Sequence, residues 1–274
     1  MEETKLALIA GNGVFPVLVA RGARACGVSV IAVAHHGETD SAIEAEVDAC
    51  TWVKVGELGR TIRTFVKAGC DHAVMAGGIG KAQALSSVRP DFRGAAFLLR
   101  MRTLQDDRLL RGIAEEIEKE GMPVLSSTKY LPDLVPAPGV LTRKKPSASE
   151  LRDVEFGRRV LKATGPFEIG QTVVVKEGLV FALEAVEGTD AAVRRGAELA
   201  RGGAVVVKAA KPEQDLRFDV PAIGPETVAL MQEVGASVLA IEAGRTIILE
   251  RDAVVAAANA AAIRILAFPA EVSG

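Results

Sequence analysis

The sequence is poor in the residues that build disulfides, zinc sites and base-stacking surfaces. Of its 274 residues, only three are cysteines and three are histidines, and aromatic residues make up 4%. The cysteines lie far apart and no Cys-x-x-Cys pair occurs, which argues against a disulfide framework or a thiolate zinc site. The few histidines argue equally against a histidine-rich metal centre. We therefore expect any metal to be a hard cation bound by oxygen ligands.

An excess of positive charge and a long apolar run are also missing. Lys and Arg total 33 against 35 Asp and Glu, so the basic footprint of a nucleic-acid-binding protein is absent, and no aromatic platform compensates for it. The most apolar late stretch, residues 253–268, is interrupted by Asn259 and Arg264 and is not expected to span a bilayer. The first residues do not resemble a signal peptide. We expect a cytoplasmic protein without a nucleic-acid partner.

The fold class follows from the order of the predicted elements. Short apolar strands alternate with amphipathic helices up to residue 130, which is typical of a parallel, doubly wound sheet. Periodicity then stops in residues 131–149, which contain four prolines. Hairpins and helices are mixed in the remainder. We predict an α/β protein with a Rossmann-like N-terminal domain (1–130), a linker that acts as a hinge (131–149) and a C-terminal mixed α/β domain (150–274).

A cluster of opposite charges follows an apolar strand in the C-terminal half. Its charged members are Lys208, Lys211, Asp215, Arg217 and Asp219. In an extended backbone the last three would share one face, because side chains alternate. An edge strand with a polar outer face would give the same pattern. The upstream lysines and the helix start at Pro225 favour the alternative, an anion site.

A second acidic cluster follows the preceding strand and includes Glu187, Gly188, Thr189 and Asp190. Thr189 is expected to be a helix N-cap and Asp190 to lie in the first turn, and a simple capped helix would explain both. However, both clusters come at the carboxyl ends of strands, where open α/β sheets bind ligands. Carboxylates beside Lys and Arg predict a site for a phosphate and Mg²⁺, with Mn²⁺ as the alternative ion.

Two glycine-rich turns follow strands of the N-terminal half, at residues 11–13 and 77–81. The first resembles a dinucleotide fingerprint, but Pro16 occupies the third glycine position. No acidic residue appears at the expected offset after the second strand, where residues 34–37 read AHHG, so NAD is discounted. Gly11 and Gly13 would still let a backbone approach a phosphate closely.

Six stretches together resemble a known family. They are GNGVFP (11–16), AGGIGK (76–81), DDRLLR (106–111), IGQTVVV (169–175), EAVEGTD (184–190) and K-x-x-KPxQDxRFDxPxIG (208–224). They resemble the UDP-2,3-diacylglucosamine pyrophosphatases of the LpxI type, from lipid A biosynthesis, and the similarity extends over essentially the whole chain.

The resemblance implies a Mg²⁺-dependent hydrolase that converts UDP-2,3-diacylglucosamine to UMP and 2,3-diacylglucosamine 1-phosphate, with substrate between two domains. Lys208, Lys211 and Arg217 are then candidates for neutralising phosphate charge, and Asp215 and Asp219 for binding metal and water. Glu187 and Asp190 are further candidate metal ligands. The predicted substrate contacts are Gly11, Asn12, Gly13, Gly78, Lys81, Gln214, Gly188 and Thr189.

Two other classes of function stay open on the sequence alone. One is a non-catalytic regulator that binds a UDP-sugar or nucleotide, and the other is a sugar-nucleotide transferase. Because the implied substrate carries acyl chains, residues 97–102 and 142–146 are expected to contact the cytoplasmic face of the inner membrane, although solvated surface cations would give the same pattern. The sequence is compatible with a homodimer and does not fix the oligomeric state.

Overall fold

The computed structural model describes residues 4–80, 89–101, 106–167, 169–212 and 214–270. The chain divides into two compact units. Unit 1 consists of Met1–Pro132 together with Asp215–Asp219, and unit 2 consists of Asp133–Gln214 and Val220–Gly274. The short segment 215–219 therefore groups with the first unit although it lies far along the sequence.

Unit 1 is built on a parallel sheet with strand order β3-β2-β1-β4. The strands are β1 (Lys5–Ala10), β2 (Ser29–His35), β3 (Ala49–Val53) and β4 (His72–Ala76). The helices described in this unit are α1 (Phe15–Ala25), α2 (Leu58–Ala68), α3 (Phe92–Arg100) and α4 (Asp106–Glu118). Beyond β4, Ala73 pairs in parallel with Val124, so the chain there extends the sheet by one more short segment.

Both faces of the unit 1 sheet are buried, as the apolar strands predict. Leu6 and Leu8 of β1 belong to one core cluster together with residues of α1, whereas Ala7 belongs to a second cluster with Phe65 of α2. Helix α2 ends at Gly69, which adopts a left-handed conformation with φ of 68°. Glycine reaches this region without strain, and for that reason the sequence predicts the end of the helix correctly.

Unit 2 contains a mixed six-stranded sheet with order β5-β12-β10-β8-β6-β7. Strands β12, β10 and β8 are parallel, and β6 is antiparallel to both β8 and β7. The strands are β5 (Gly139–Val140), β6 (Thr172–Lys176), β7 (Leu179–Leu183), β8 (Val205–Lys208), β9 (Ala222–Ile223), β10 (Val238–Glu242), β11 (Ile247–Ile248) and β12 (Arg264–Phe268). The helices described are α5 (Ala148–Thr164), α6 (Thr189–Ala200), α7 (Pro225–Glu233) and α8 (Arg251–Ala260). Strands β9 and β11 form a separate parallel pair.

Local signals place two elements of unit 2. The sequence SASE (147–150) favours a capping box, and Ser147 and Glu150 form one at the start of α5. The β6–β7 hairpin turns at Glu177 and Gly178, both with positive φ, and the carboxylate of Asp153 accepts both of their backbone amides at 2.9 and 2.8 Å. The buried Asp153 thereby fixes the turn against α5.

The α/β class, with a parallel sheet in the N-terminal half and a mixed sheet in the C-terminal half, is confirmed. Strands β3, β5, β9 and β12 were not predicted from the sequence. The predicted linker contributes β5, which pairs with β12. Within the described parts of the chain, no helix combines the length and the apolar composition needed to cross a membrane.

Two local predictions are wrong. Residues 215–219 are not extended, because the amide of Asp219 donates to the carbonyl oxygen of Asp215 at 3.1 Å and closes a helix-like turn. Asp215, Arg217 and Asp219 therefore do not share a face by alternation. Thr189 is not a cap either. Gly188 is the N-cap of α6, and the Thr189 hydroxyl donates instead to Glu184.

Candidate functional site

The carboxyl edge of the unit 1 sheet brings together the two glycine turns. The amide of Gly11 donates to the carbonyl oxygen of Ala76 at 2.8 Å, and the amide of Asn12 donates to that of Gly78, also at 2.8 Å. In return, the side-chain oxygen of Asn12 accepts the amide of Gly78 at 3.2 Å. Three hydrogen bonds thus join the turns after β1 and β4. Of the predicted substrate contacts in these turns, Lys81 lies outside the described residues.

This close approach explains why glycine occupies two of these positions. A Cβ atom on Gly11 would lie 2.3 Å from the carbonyl oxygen of Gly78, and one on Gly77 would lie 2.4 Å from that of Asn12. Gly77 and Gly13 also have positive φ angles of 78° and 79°. Any side chain would therefore push the two turns apart. The glycines are required by backbone packing, independently of any ligand.

Glu38 also belongs to this edge, and sequence reasoning missed it. One oxygen of its carboxylate accepts the side-chain amide of Asn12 at 3.1 Å and the backbone amide of Gly80 at 3.0 Å. The residue follows β2 after a short turn that is held by Thr39, whose hydroxyl donates to the carbonyl oxygen of Ala10 at 2.6 Å. The expected acidic residue after the second strand is thus present, one position beyond the stretch AHHG.

The predicted pair of Asp215 and Arg217 is in direct contact in unit 1. The guanidinium Nε and Nη2 of Arg217 donate to Asp215 Oδ1 at 3.0 Å and Oδ2 at 2.8 Å, and the backbone amide of Arg217 donates to Oδ1 at 3.1 Å. These hydrogen bonds from Arg217 hold the pKa of the Asp215 carboxyl below its usual range. A second carboxylate, Glu118 at the end of α4, accepts Arg217 Nη1 at 2.8 Å.

The segment 215–219 is anchored to the same edge of the unit 1 sheet. The amide of Ser127, just beyond the strand segment that pairs with β4, donates to the carbonyl oxygen of Arg217 at 2.9 Å. Phe218 packs against the apolar core between the sheet and helices α2 to α4. Asp219 ends this turn, with its amide bonded to Asp215. The charged turn and the glycine turns therefore both lie at the carboxyl ends of unit 1 strands.

Unit 2 has its own polar edge, where strands β7, β8 and β10 end and β6 begins. Buried Glu184, directly after β7, accepts the hydroxyl of Thr189 at 3.0 Å and the amide of Gln171 at 3.2 Å. Thr172 pairs with Lys208 across the β6–β8 ladder. The structure thus places the predicted contacts of the EAVEGTD loop and Lys208 at the same sheet edge.

The remaining predicted residues of unit 2 form a turn after β8. Gln214 is 5% exposed and its side-chain oxygen accepts the amide of Lys211 at 2.8 Å. The amide of Ala210 donates at 3.1 Å to Glu242, a buried carboxylate that ends β10. Sequence reasoning missed Glu184 and Glu242. The available signal was a single carboxylate at the end of an otherwise apolar strand, which is costly to bury without a partner.

The four predicted metal ligands are divided between the units, with Asp215 and Asp219 in unit 1 and Glu187 and Asp190 in unit 2. Asp215 is paired with Arg217, and Glu187 accepts a hydrogen bond from Arg195 at 2.6 Å. In the part of the chain that the structure describes, no group of three or more His, Cys, Asp or Glu side chains is arranged to hold a metal. A Mg²⁺ ion needs only one or two carboxylates when substrate oxygens and waters complete its shell. Asp215 and Glu187, however, are each engaged by an arginine and would bind such an ion only after that pairing opened.

The sequence matches the models of one protein family over most of its length. Residues 5–134 match the family model of the LpxI N-terminal domain, and residues 137–266 match that of the LpxI C-terminal domain. The UDP-2,3-diacylglucosamine pyrophosphatase LpxI of Caulobacter vibrioides is 35% identical over 266 residues, which cover 93% of this chain and 94% of that protein.

Among solved structures, the biotin carboxylase domain of the Hydrogenobacter thermophilus 2-oxoglutarate carboxylase is 14% identical. The match covers 73% of this chain and 40% of that chain, with a TM-score of 0.29. This score is too low to relate the two folds.

Proposed function

The chain belongs to the LpxI family, and we propose that it is a Mg²⁺-dependent enzyme that hydrolyses the pyrophosphate bond of UDP-2,3-diacylglucosamine to UMP and 2,3-diacylglucosamine 1-phosphate. The observation that carries the proposal is the 35% identity to a named pyrophosphatase over 93% of the chain. The matched residues include the glycine turns and the charged turn, which lie at strand ends suited to ligand binding.

Charge neutralisation is the first requirement of this reaction. A pyrophosphate diester is doubly negative, and a nucleophile must approach it against that charge. Arg217 is a suitable neutralising group because its geometry is fixed by two carboxylates, Asp215 and Glu118, while a guanidinium has five N–H donors to share. In unit 2 we assign the same task to Lys208 and Lys211, whose positions flank the end of β8.

The structure favours different roles for the two aspartates of the charged turn. Asp215 accepts hydrogen bonds from Arg217 through both carboxylate oxygens, and its lowered pKa makes it a weak base. We therefore assign it to orienting Arg217. We propose that Asp219, which ends the same turn, takes the proton of the attacking water.

The proposed Mg²⁺ dependence rests on carboxylate oxygens, which are ligands that this ion prefers. When bound, the ion would acidify the attacking water and neutralise developing charge on the phosphoryl oxygens. We propose Asp219 as its first protein ligand, with Mn²⁺ as the alternative ion. Asp215 could join only if its pairing with Arg217 opened. Glu187 and Asp190 remain the second choice, and the buried Glu184 adds a carboxylate close to them in sequence.

The test is hydrolysis of UDP-2,3-diacylglucosamine in ¹⁸O-labelled water, with and without Mg²⁺ and with mass analysis of both products. We expect UMP release that is abolished by a chelator, and a label in one product that identifies the attacked phosphorus. A non-catalytic regulator would bind the UDP-sugar and release no UMP. A transferase would form product only with an acceptor. Either result would reject the proposal.

The Asp219→Ala variant tests the assignment within the site. We expect kcat to fall by about 100-fold or more, the scale of a lost base or metal-positioning group, with substrate binding retained. Asp252→Ala is the matched control, because Asp252 is an exposed aspartate in the first turn of α8. A folded Asp219→Ala enzyme with near-normal kcat would move the assignment to Glu187 and Asp190.

We also propose that the protein meets the membrane surface peripherally on its cytoplasmic face. Helix α3 leaves two large apolar side chains in water, since Phe92 is 92% and Leu99 is 87% exposed. Arg100 lies beside Leu99 at the end of the helix. Apolar side chains next to a cation are typical of a helix that touches an anionic lipid surface.

A further inference from the structure

The six-stranded sheet of unit 2 ends in an edge strand with little of the usual protection. Strand β7 lies outermost in the sheet, and among the described residues no strand pairs with its outer side. Its sequence, LVFAL, contains no charge and no proline, and Leu179 and Val180 are exposed. The opposite edge strand, β5, is only two residues long. Natural sheets shorten, charge or cover their edges, because an open edge pairs with another chain.

The pairing with β6 shows which backbone groups of β7 point outward. The amide of Glu184 donates to the carbonyl oxygen of Thr172 at 2.9 Å, and hydrogen-bonded pairs alternate with non-bonded pairs along an antiparallel ladder. A register shift leaves Phe181 without a partner. Counted along β6, Leu183 and Val180 then belong to the non-bonded pairs. Both residues therefore direct their N–H and C=O groups away from β6.

Helix α6 lies over the same edge. A Cβ atom on Gly196 would be 2.6 Å from a side chain of β6 and 2.9 Å from Ala182 of β7, so the helix sits above both strands. Arg195 marks the edge side of the helix, because its guanidinium donates to the carbonyl oxygen of Leu183 at 3.2 Å. Leu199, four positions further, is exposed on the same side. The edge of the sheet and this side of α6 thus form one continuous surface.

The backbone groups of β7 are arranged symmetrically about a two-fold axis perpendicular to the sheet. An axis between Phe181 and Ala182 places Val180 opposite Leu183 of a second, antiparallel copy of the strand. These are the two residues whose backbone groups point outward, so they can form the hydrogen bonds of a new ladder. The sheet would then continue from one copy into the other.

The same axis also suits α6. Adjacent strands lie about 4.8 Å apart, so two helices that each sit between β6 and β7 would have axes about 10 Å apart, close to the spacing of packed helices. Since Gly196 lies over Ala182, the axis passes between Arg195 and Glu198, which are both exposed. Each Arg195 then faces Glu198 of the other copy, and Leu199 lies in the seam between the helices.

We propose that the protein forms a two-fold symmetric homodimer in which β7 pairs antiparallel with β7 of a second copy and α6 packs against its counterpart. The charges favour a second copy as the occupant, because Arg195 and Glu198 complement each other when this surface meets itself in the reverse direction. An extended peptide added to β7 would leave both charges and Leu199 uncovered. The dimer concerns assembly and does not depend on the proposed hydrolysis.

Sedimentation velocity of the full chain over a range of concentrations tests the dimer, and the unchanged protein should sediment as one. Leu199→Asp removes one leucine from the seam in each copy. We expect association to weaken by about 10-fold for each leucine and about 100-fold in total, because an isologous contact carries every substitution twice. Val180→Lys places a charge on the edge and should also dissociate the dimer. The matched control is Leu151→Asp, which changes an exposed leucine of α5 and should leave the dimer unchanged.

Charge reversal tests how the two copies are oriented. Arg195→Glu and Glu198→Arg should each weaken the homodimer by about 10-fold or more, because like charges then face each other across the axis. An equimolar mixture of the two variants should associate again, since the acids of one variant face the bases of the other. This recovery arises between chains, so a folding defect cannot imitate it.

Three results would overturn the proposal. The first is a monomer at every concentration of the unchanged protein, including one that binds an extended peptide at β7. The second is a dimer that persists in folded Leu199→Asp and Val180→Lys variants, with folding checked by thermal melts. The third is a mixture of the two charge-reversed variants that associates no better than either variant alone.

Discussion

Glu118 is a residue outside the sequence motifs for which the structure predicts a separable effect on activity. It ends α4 and accepts Arg217 Nη1 at 2.8 Å and, more weakly, the amide of Val124 at 3.3 Å. It is thus the second anchor of the guanidinium that Asp215 holds from the other side. Replacing it by alanine leaves Arg217 attached through Asp215 alone. We expect the guanidinium to move while the turn itself stays in place.

The expected loss of stability is small. The side chains of Arg217 and Glu118 are 35% and 37% exposed, and exposed ion pairs typically contribute about 0.2–1 kcal/mol. The turn keeps the hydrogen bond from Ser127 and the packed Phe218. A change of about 1 kcal/mol lowers Tm by roughly 2–4 °C in a protein of this size class.

The expected loss of activity is larger than the loss of stability. A misplacement of about 1 Å in a positioned group can cost about 100-fold in rate, and Arg217 retains one of its two anchors. We therefore expect Glu118→Ala to lower kcat by about 10-fold or more with KM nearly unchanged, within the range set by such misplacement. Glu118→Gln retains an acceptor oxygen and should lose less. UMP release under steady-state conditions, with a thermal melt of each variant, measures both quantities.

Two comparisons separate positioning from a general structural role. The control Glu115→Ala changes an exposed carboxylate of the same helix and should leave kcat unchanged. In an Arg217→Gln background, Glu118→Ala should cause no further loss, because coupled residues are not additive. Independent, additive losses, or a large fall in Tm that accompanies the loss of rate, would refute the positioning role.

Three other features of the structure give measurable outcomes. Gly11→Ala should weaken UMP binding by about 10-fold or more while the protein still folds. The reason is that the added Cβ would lie 2.3 Å from the carbonyl oxygen of Gly78 and would misplace the turn. An unchanged UMP affinity in calorimetry would contradict this. The pKa of buried Glu116 is lowered from 4.5 to about 2, mainly by a hydrogen bond from Lys119 and to a smaller extent by hydrogen bonds from Arg93 and Arg100 of α3. Its stabilising effect should therefore be complete above pH 4.5 and be lost as the pH falls toward 2, so urea melts of Glu116→Gln should show less acid sensitivity than the unchanged protein. Leu99→Asp should reduce sedimentation with anionic vesicles at low salt, and equal sedimentation would rule out α3 as the contact.

Those parts of the structure that depend on local periodicity could be predicted from the sequence. Alternating strands and helices gave the class, and the positions of Gly69, Ser147 and Pro225 correctly marked helix ends. Such signals act within a few residues of one another, so no tertiary information is needed. Strands β3 and β12 were not predicted, and in the structure each is placed by pairing with its neighbour, β2 and β10 respectively.

The charged turn shows how a local hydrogen bond can override a side-chain pattern. The stretch DLRFDV alternates polar and apolar residues, as a strand does. However, the carboxylate of Asp215 accepts the amide of Arg217 at 3.1 Å, and short acidic side chains compete in this way with ladder hydrogen bonds. The turn brings Phe218 to the unit 1 core and Arg217 to Glu118. The locally formed turn therefore also makes a contact that the sequence does not indicate, since Arg217 and Glu118 are 99 positions apart.

The carboxylates that sequence reasoning missed have a common physical cause. Glu38, Glu184 and Glu242 all come at or just after the ends of strands, and each accepts a backbone amide of a neighbouring loop. Their effect depends on where those loops arrive, and loop positions are set by the order of the strands in the sheet. A search at a fixed offset, which examined residues 34–37, stops one position before Glu38, because the turn at Thr39 brings the chain back to β1. The distance in space to the glycine turns, rather than the offset in sequence, determines whether an acidic residue belongs to this edge of the sheet.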